Sequence, residues 1–122
     1  MQYIPAPEVK KDIEVLVGRL HFTHIIPSQI HCIRSLDAKT RAIARIWGMA
    51  PLFHIVAKLP VNYIIEVIAK RYDKLDRREQ IKTLIHELMH IPKTFSGALL
   101  SHRGRYHRIN DREVEKILQN LG

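Results

Sequence analysis

The chain has 122 residues, 46% of them hydrophobic, a formal charge of +8 and a single cysteine. That length bounds it to one domain spanning 1–122 with a moderate core, and any active site must be built within that one small fold. Cys32 alone excludes an internal disulfide and a cysteine zinc knuckle, and it fits a reducing, cytoplasmic setting. The basic balance favours polyanions or acidic surfaces as partners without deciding the fold. The opening "MQYIPAPEVKKDIE" has no apolar stretch resembling a signal peptide. The longest apolar runs fall far short of a membrane span.

In chain order, Pro7 to Leu20 predicts a first helix, because Val9, Ile13, Leu16, Val17 and Leu20 recur at helical spacing between charged residues. Pro27-Ser28 reads as a turn. Gln29 to Ser35 alternates apolar and polar residues, as a half-buried strand does. "LDAKT" follows as a turn, and "RAIARIWGM" (41–49) predicts a second strand that ends at Gly48 and Pro51. "PLFHIVAKLP" (51–60) is taken as a further strand. Tyr63, Ile64, Ile65, Val67 and Ile68 are branched or aromatic and predict a strand up to about Ile68. Asp76 with Glu79 three residues on has capping-box spacing. From Arg77 to Ile91 the pattern is helical, and Pro92 stops it. "KTFSGALLSHRGRYHR" is a loop broken by Gly97 and Gly104. Asn110 or Asp111 caps a last helix with a stripe of Val114, Ile117, Leu118 and Leu121.

The span from Leu84 to His107 holds four of the chain's eight histidines. A helix turns ~100° per residue, so with Ile81 at zero, Leu84, Ile85 and Leu88 fall at ~300°, ~40° and ~340° and make a core-facing stripe. His86 and His90 fall at ~140° and ~180°, on the other side, and Glu87 lies at ~240° on their flank. Imidazoles four residues apart sit one above the other and can meet one ion. A catalytic zinc keeps three protein ligands and a water. His86 and His90 would supply two ligands, and Glu87 would reach the water, accept its proton and return it to a leaving amine. This is the His-Glu-x-x-His logic of metal-dependent peptidases.

A third ligand must return from beyond the helix. His102, His107, Asp111 and Glu113 are the candidates. Imidazole suits zinc better than a lone carboxylate, which ranks His102 first, His107 second and Glu113 third. Asn110, Asp111 and Glu113 can equally cap the last helix or brace a ligand histidine.

"HELMHIPKTFSGALLSH" resembles a small family of metallopeptidases from prokaryotes and phage. "IHCIRS", "ARIWGMAPLFHIVAKLPVNYIIEVIAKRYDKL" and "NDREVEKIL" fit the same layout, over roughly Gln29 to Leu118. The resemblance implies an α+β, minimal zincin-like domain. In it a small mixed sheet packs against the metal-binding helix, with N- and C-terminal helices. It also implies Zn2+, His86, His90 and His102 as ligands, and Glu87 as base. His107 has no role in that pattern. Pro92 and Lys93 stand where another zincin group continues with Gly-x-x-His.

The expected function is therefore zinc-dependent peptide-bond hydrolysis on a peptide or protein substrate. In zincins a strand beside the active helix receives the substrate, and "YIIEVIAK" is either that edge or a buried strand. The alternative is a metal-dependent hydrolase or binding protein acting on nucleic acid or nucleic-acid-bound protein, with "HRGRYHR" (102–108) as the contact and Tyr106 able to stack on a base. The small SprT-like proteases, which act on DNA-bound proteins, are similar in plan and charge only. Tyr106 is also a candidate oxyanion stabiliser. His21, His24, His31 and His54 have no ligand spacing, and Cys32 reads as a small buried hydrophobe.

Overall fold

A computed structural model describes residues 2–105 and 107–121. Four strands form one mixed sheet: β1 (Tyr3–Pro5), β2 (Ile30–Ser35), β3 (Ala44–Trp47) and β4 (Tyr63–Ile68), in the order β1-β2-β4-β3. β2 and β4 run parallel, from Ile30 opposite Tyr63 to Ser35 opposite Ile68. β1 and β3 add antiparallel at the two edges. The helices are α1 (Pro7–Arg19), α2 (Pro51–Ile55), α3 (Ala69–Tyr72), α4 (Arg77–Met89) and α5 (Asp111–Gln119), with a 3-10 turn at Pro27–Gln29. The architecture is the α+β arrangement expected.

The core lies between one face of the sheet and two helices. Ile13 and Leu16 of α1 and Leu84, Ile85 and Leu88 of α4 pack with Ile30, Tyr63, Ile65 and Val67 of β2 and β4. The apolar stripe read from the sequence is thus the one that α4 buries, except that Ile81 at its start is only partly buried. α4 begins where the spacing indicated. Asp76 is its N-cap, and its carboxylate accepts from the Glu79 amide at 2.9 Å. At the other end of the chain Asn110, rather than Asp111, caps α5 through the Glu113 amide.

Two expectations change, and of the two readings of "YIIEVIAK" the buried strand is the one observed. "PLFHIVAKLP" is not a strand. Its first five residues form α2, and none of them is buried. With most of its apolar side chains facing solvent, the segment has no buried face whose period could be read. "YIIEVIAK" is not an edge. β4 lies between β2 and β3 and buries every residue but Ile64, which is what the run of branched residues in a central strand reflects. The edge beside α4 is β3, which is shorter than the 41–49 expected. β1 has only three residues and ends in proline, so no alternation announces it.

One charge is buried in the sheet. Glu66 of β4 is fully enclosed and accepts from Arg45 Nε at 2.8 Å and Trp47 Nε1 at 2.9 Å. Burial pushes its carboxyl up, but the Arg45 and Trp47 donors outweigh that and hold it below the ordinary value. The pair anchors edge strand β3 to β4.

Candidate metal centre

His86 stands on the last turn of α4, and His90, four residues on, is the C-cap of that helix. Beyond α4, Phe95 and Gly97 take left-handed backbone (φ 46° and 98°) and turn the chain back. Here a Cβ at position 97 would lie 2.4 Å from the Met49 carbonyl, so close approach as well as φ calls for glycine. The Tyr63 hydroxyl pins this turn. It accepts from the Gly97 amide and donates to the Ala98 carbonyl, both at 2.9 Å. The returning strand of loop then docks on the helix end, where the Leu100 amide donates to the His90 carbonyl at 2.7 Å. His102 follows directly, its own carbonyl accepting from the Ile109 amide at 2.7 Å.

The result is a cluster of three imidazoles. One ligand nitrogen from each of His86, His90 and His102 lies within 4.8 Å of the others, and no other such group occurs among the described residues. His86 Nε2 and His102 Nε2 are 3.1 Å apart. Two ligands of a tetrahedral zinc at ~2.0–2.1 Å stand ~3.3 Å apart, so this separation suits a shared cation. His90 Nδ1 faces the Leu100 carbonyl at 2.6 Å. A carbonyl only accepts, so Nδ1 carries the proton and Nε2 keeps its lone pair. An imidazole oriented by a carbonyl behind it is the arrangement that metal sites use.

Electrostatics agree. Burial, then the neighbouring His90 and His102, lowers the His86 pKa to about 4. Burial also lowers that of His90, against the opposing pull of the Leu100 carbonyl. Both rings are therefore neutral near pH 7, the form that donates to a metal. Glu87 is largely buried, and that burial raises its carboxyl to about 8. A dication held by the imidazoles would favour its ionised form. Two cavities, of about 460 and 570 Å³, meet at His86 and Glu87. Ala42 and Ala44 line both, so the cleft runs between α4 and β3.

The other candidates have other partners, although Asp111 lines the cleft together with His86 and Glu87. His107 Nε2 donates to the Ser101 carbonyl at 2.9 Å. Glu113 pairs with Lys116 at 3.3 Å, and Asp111 with Lys82 at 2.7 Å. Tyr106 falls outside the described residues. Arg108 of the basic cluster donates to carbonyls of its own loop, Gly104 and His107. His31 bonds Asn62, and His54 bonds the Leu59 carbonyl. Cys32 is half-buried, and its thiol is pushed up to about 11 by burial. Tyr63 and Leu100 were missed as supports of the site. A tyrosine at the start of a largely aliphatic central strand was the available signal, since a buried hydroxyl needs a partner.

A chain that gathers three imidazoles and a buried acidic side chain in one cleft has a donor set that could hold a metal ion. The family model described as "Putative phage metallopeptidase" matches residues 1–120, and the chain belongs to that family. The match reaches beyond the segment 29–118 where the resemblance was visible. No curated protein and no solved structure matches the chain. No helix of the described residues is long and apolar enough to cross a membrane.

Proposed function

We propose that the chain is a zinc-dependent peptidase of zincin-like plan, with His86, His90 and His102 as ligands and Glu87 as general base. The convergence of three imidazole nitrogens beside a carboxylate that has no hydrogen-bond partner among the described residues carries this reading. Zinc, when bound, supplies a Lewis acid and a water acidified towards neutral pH. Glu87 takes the proton of the attacking water and returns it to the departing amine as the peptide C–N bond breaks. His90 is held for its task by Leu100, and His102 by the turn that Tyr63 pins. β3 offers its outer edge to an extended peptide, whose main chain would pair with it as an added strand.

The test is Glu87→Gln. The variant should retain zinc, read as metal content after purification, and lose about 10²–10⁴-fold in the rate of amine release from a quenched peptide. Zinc-loaded Glu87→Gln cleaving at the native rate would end the assignment of the base. The zinc-loaded native chain should also cut unfolded protein and spare single-stranded RNA. The opposite preference would move the site to nucleic-acid chemistry.

A further inference from the structure

We infer that the apolar knuckle at Pro51–Leu59 is a docking surface for an apolar stretch of the polypeptide substrate, outside the residues that lie in the cleft. The inference rests on the peptidase reading and extends it to the substrate's class: an unfolded chain bearing large apolar side chains some residues away from the bond to be cut.

Leu52, Phe53, Ile55, Val56 and Leu59 are 67%, 56%, 59%, 71% and 47% exposed. The knuckle keeps its shape without burying them. The Val56 amide donates to the Leu52 carbonyl, the Leu59 amide to the Phe53 carbonyl, and His54 Nδ1 to the Leu59 carbonyl. Lys58, at φ 59°, makes the return turn. A concentration of exposed apolar side chains that contributes nothing to the core marks a surface that meets something else.

Continuity with the cleft says what. Leu99 lines the cavity that contains His86, His90 and His102, and it is 41% exposed. Gly48 lies flat against it: a Cβ there would be 3.0 Å from Leu99 Cγ and 2.3 Å from the Gly97 carbonyl. The Met49 amide donates to that same carbonyl at 2.7 Å. Leu99 of the cleft wall thus packs on Gly48, and the chain leads from Ile46 of that wall through Gly48 and Met49 directly into the knuckle. A peptide added along β3 advances ~3.3 Å per residue, so it crosses from Ala44 to Trp47 in three residues and meets the knuckle a few residues later.

Chemistry selects the occupant. Between Gly48 and Tyr63 the only charged residue is Lys58, too few cations to hold an anionic lipid surface or a nucleic acid. A second copy would bring another charge of +8 against the first. An apolar polypeptide meets neither obstacle.

The experiment measures binding to the Glu87→Gln chain, so that nothing is consumed. One probe is a dye-labelled 16-residue peptide without tryptophan, carrying a Leu-Val-Phe-Ile block at one end. The other replaces the block with Ser-Thr-Gln-Asn. Anisotropy should show the apolar peptide binding at least about tenfold tighter, a difference within the reach of one buried apolar side chain. Adding Leu52→Ser, Phe53→Ser and Val56→Ser should erase the preference while the melting temperature holds. Val56→Lys alone should reduce it in the same direction. Equal binding of the two peptides, or a preference that survives the triple substitution, would overturn the docking surface. So would a dimer, or binding to phosphatidylglycerol vesicles, that the triple substitution abolishes while leaving no peptide preference. Because the readout involves no turnover, failure of hydrolysis by the native chain is a separate result that defeats only the peptidase reading.

Discussion

α4 and the α2 knuckle are the two most apolar-rich helical regions beside the cleft, and they spend their side chains in opposite ways. α4 buries Leu84, Ile85 and Leu88, and thereby holds His86 and His90 at fixed positions on its other side. α2 buries none of its residues and is shaped by its own backbone bonds. The first is a rigid base for chemistry, where small displacements of a ligand matter. The second is a surface whose removal leaves the core untouched. Burial and exposure of the same residue types thus divide the labour between holding a site and meeting a partner.

Paired substitutions probe that division most directly. Leu84→Ala removes a fully buried side chain and should cost ~2–5 kcal/mol, read by urea denaturation. Val56→Ser on the knuckle should stay within about 0.5 kcal/mol. Comparable losses from the two would mean that α2 packs in solution against something this fold does not include. Tyr63→Phe is the next step down. It strips the buried Gly97 amide of its acceptor and should cost ~1–3 kcal/mol. It should also weaken zinc retention, because the turn that returns His102 loses its pin. Unchanged stability and zinc content would show that Gly97 and Phe95 hold the turn unaided.

The same division explains what could be read in advance. α4 was legible because every signal in it is local: the Asp76 cap, the buried stripe, the four-residue histidine spacing and Pro92. The knuckle was misread as a strand because outward-facing apolar residues carry no period. The central place of β4 was present in its nearly unbroken apolar run, whereas its neighbours in the sheet depend on pairing that no local pattern encodes. Spacing alone could only rank His102, His107 and Glu113. Which of them approaches His86 depends on the hydroxyl of Tyr63, 39 residues before His102, and on a left-handed Gly97 packed against Met49. These are long-range contacts, and a sequence read segment by segment does not contain them.

The smallest effect concerns how α4 is tied at its other end. Lys82 bonds Asp111 at 2.7 Å and Glu115 at 2.8 Å, and Arg78 grips Glu115 at 2.6 Å, so α5 is fastened to α4 by charge as well as by Val114. Arg78 first, and Lys82 second, lower the Glu115 carboxyl from 4.5 to about 2. A carboxyl depressed in the folded state binds its proton more readily once unfolded. Its contribution is therefore complete above pH 4.5 and is lost as the pH falls towards 2. Glu115→Gln lacks this response. The melting temperatures of the native chain and the variant should differ by a small, constant amount at neutral pH and converge between pH 4.5 and 2. High salt should shrink the difference, since the pair is exposed and screened. A gap that persists at pH 2, or that ignores salt, would show that α5 is held to α4 by packing, as the core stripe is, and not by this ionic fastening.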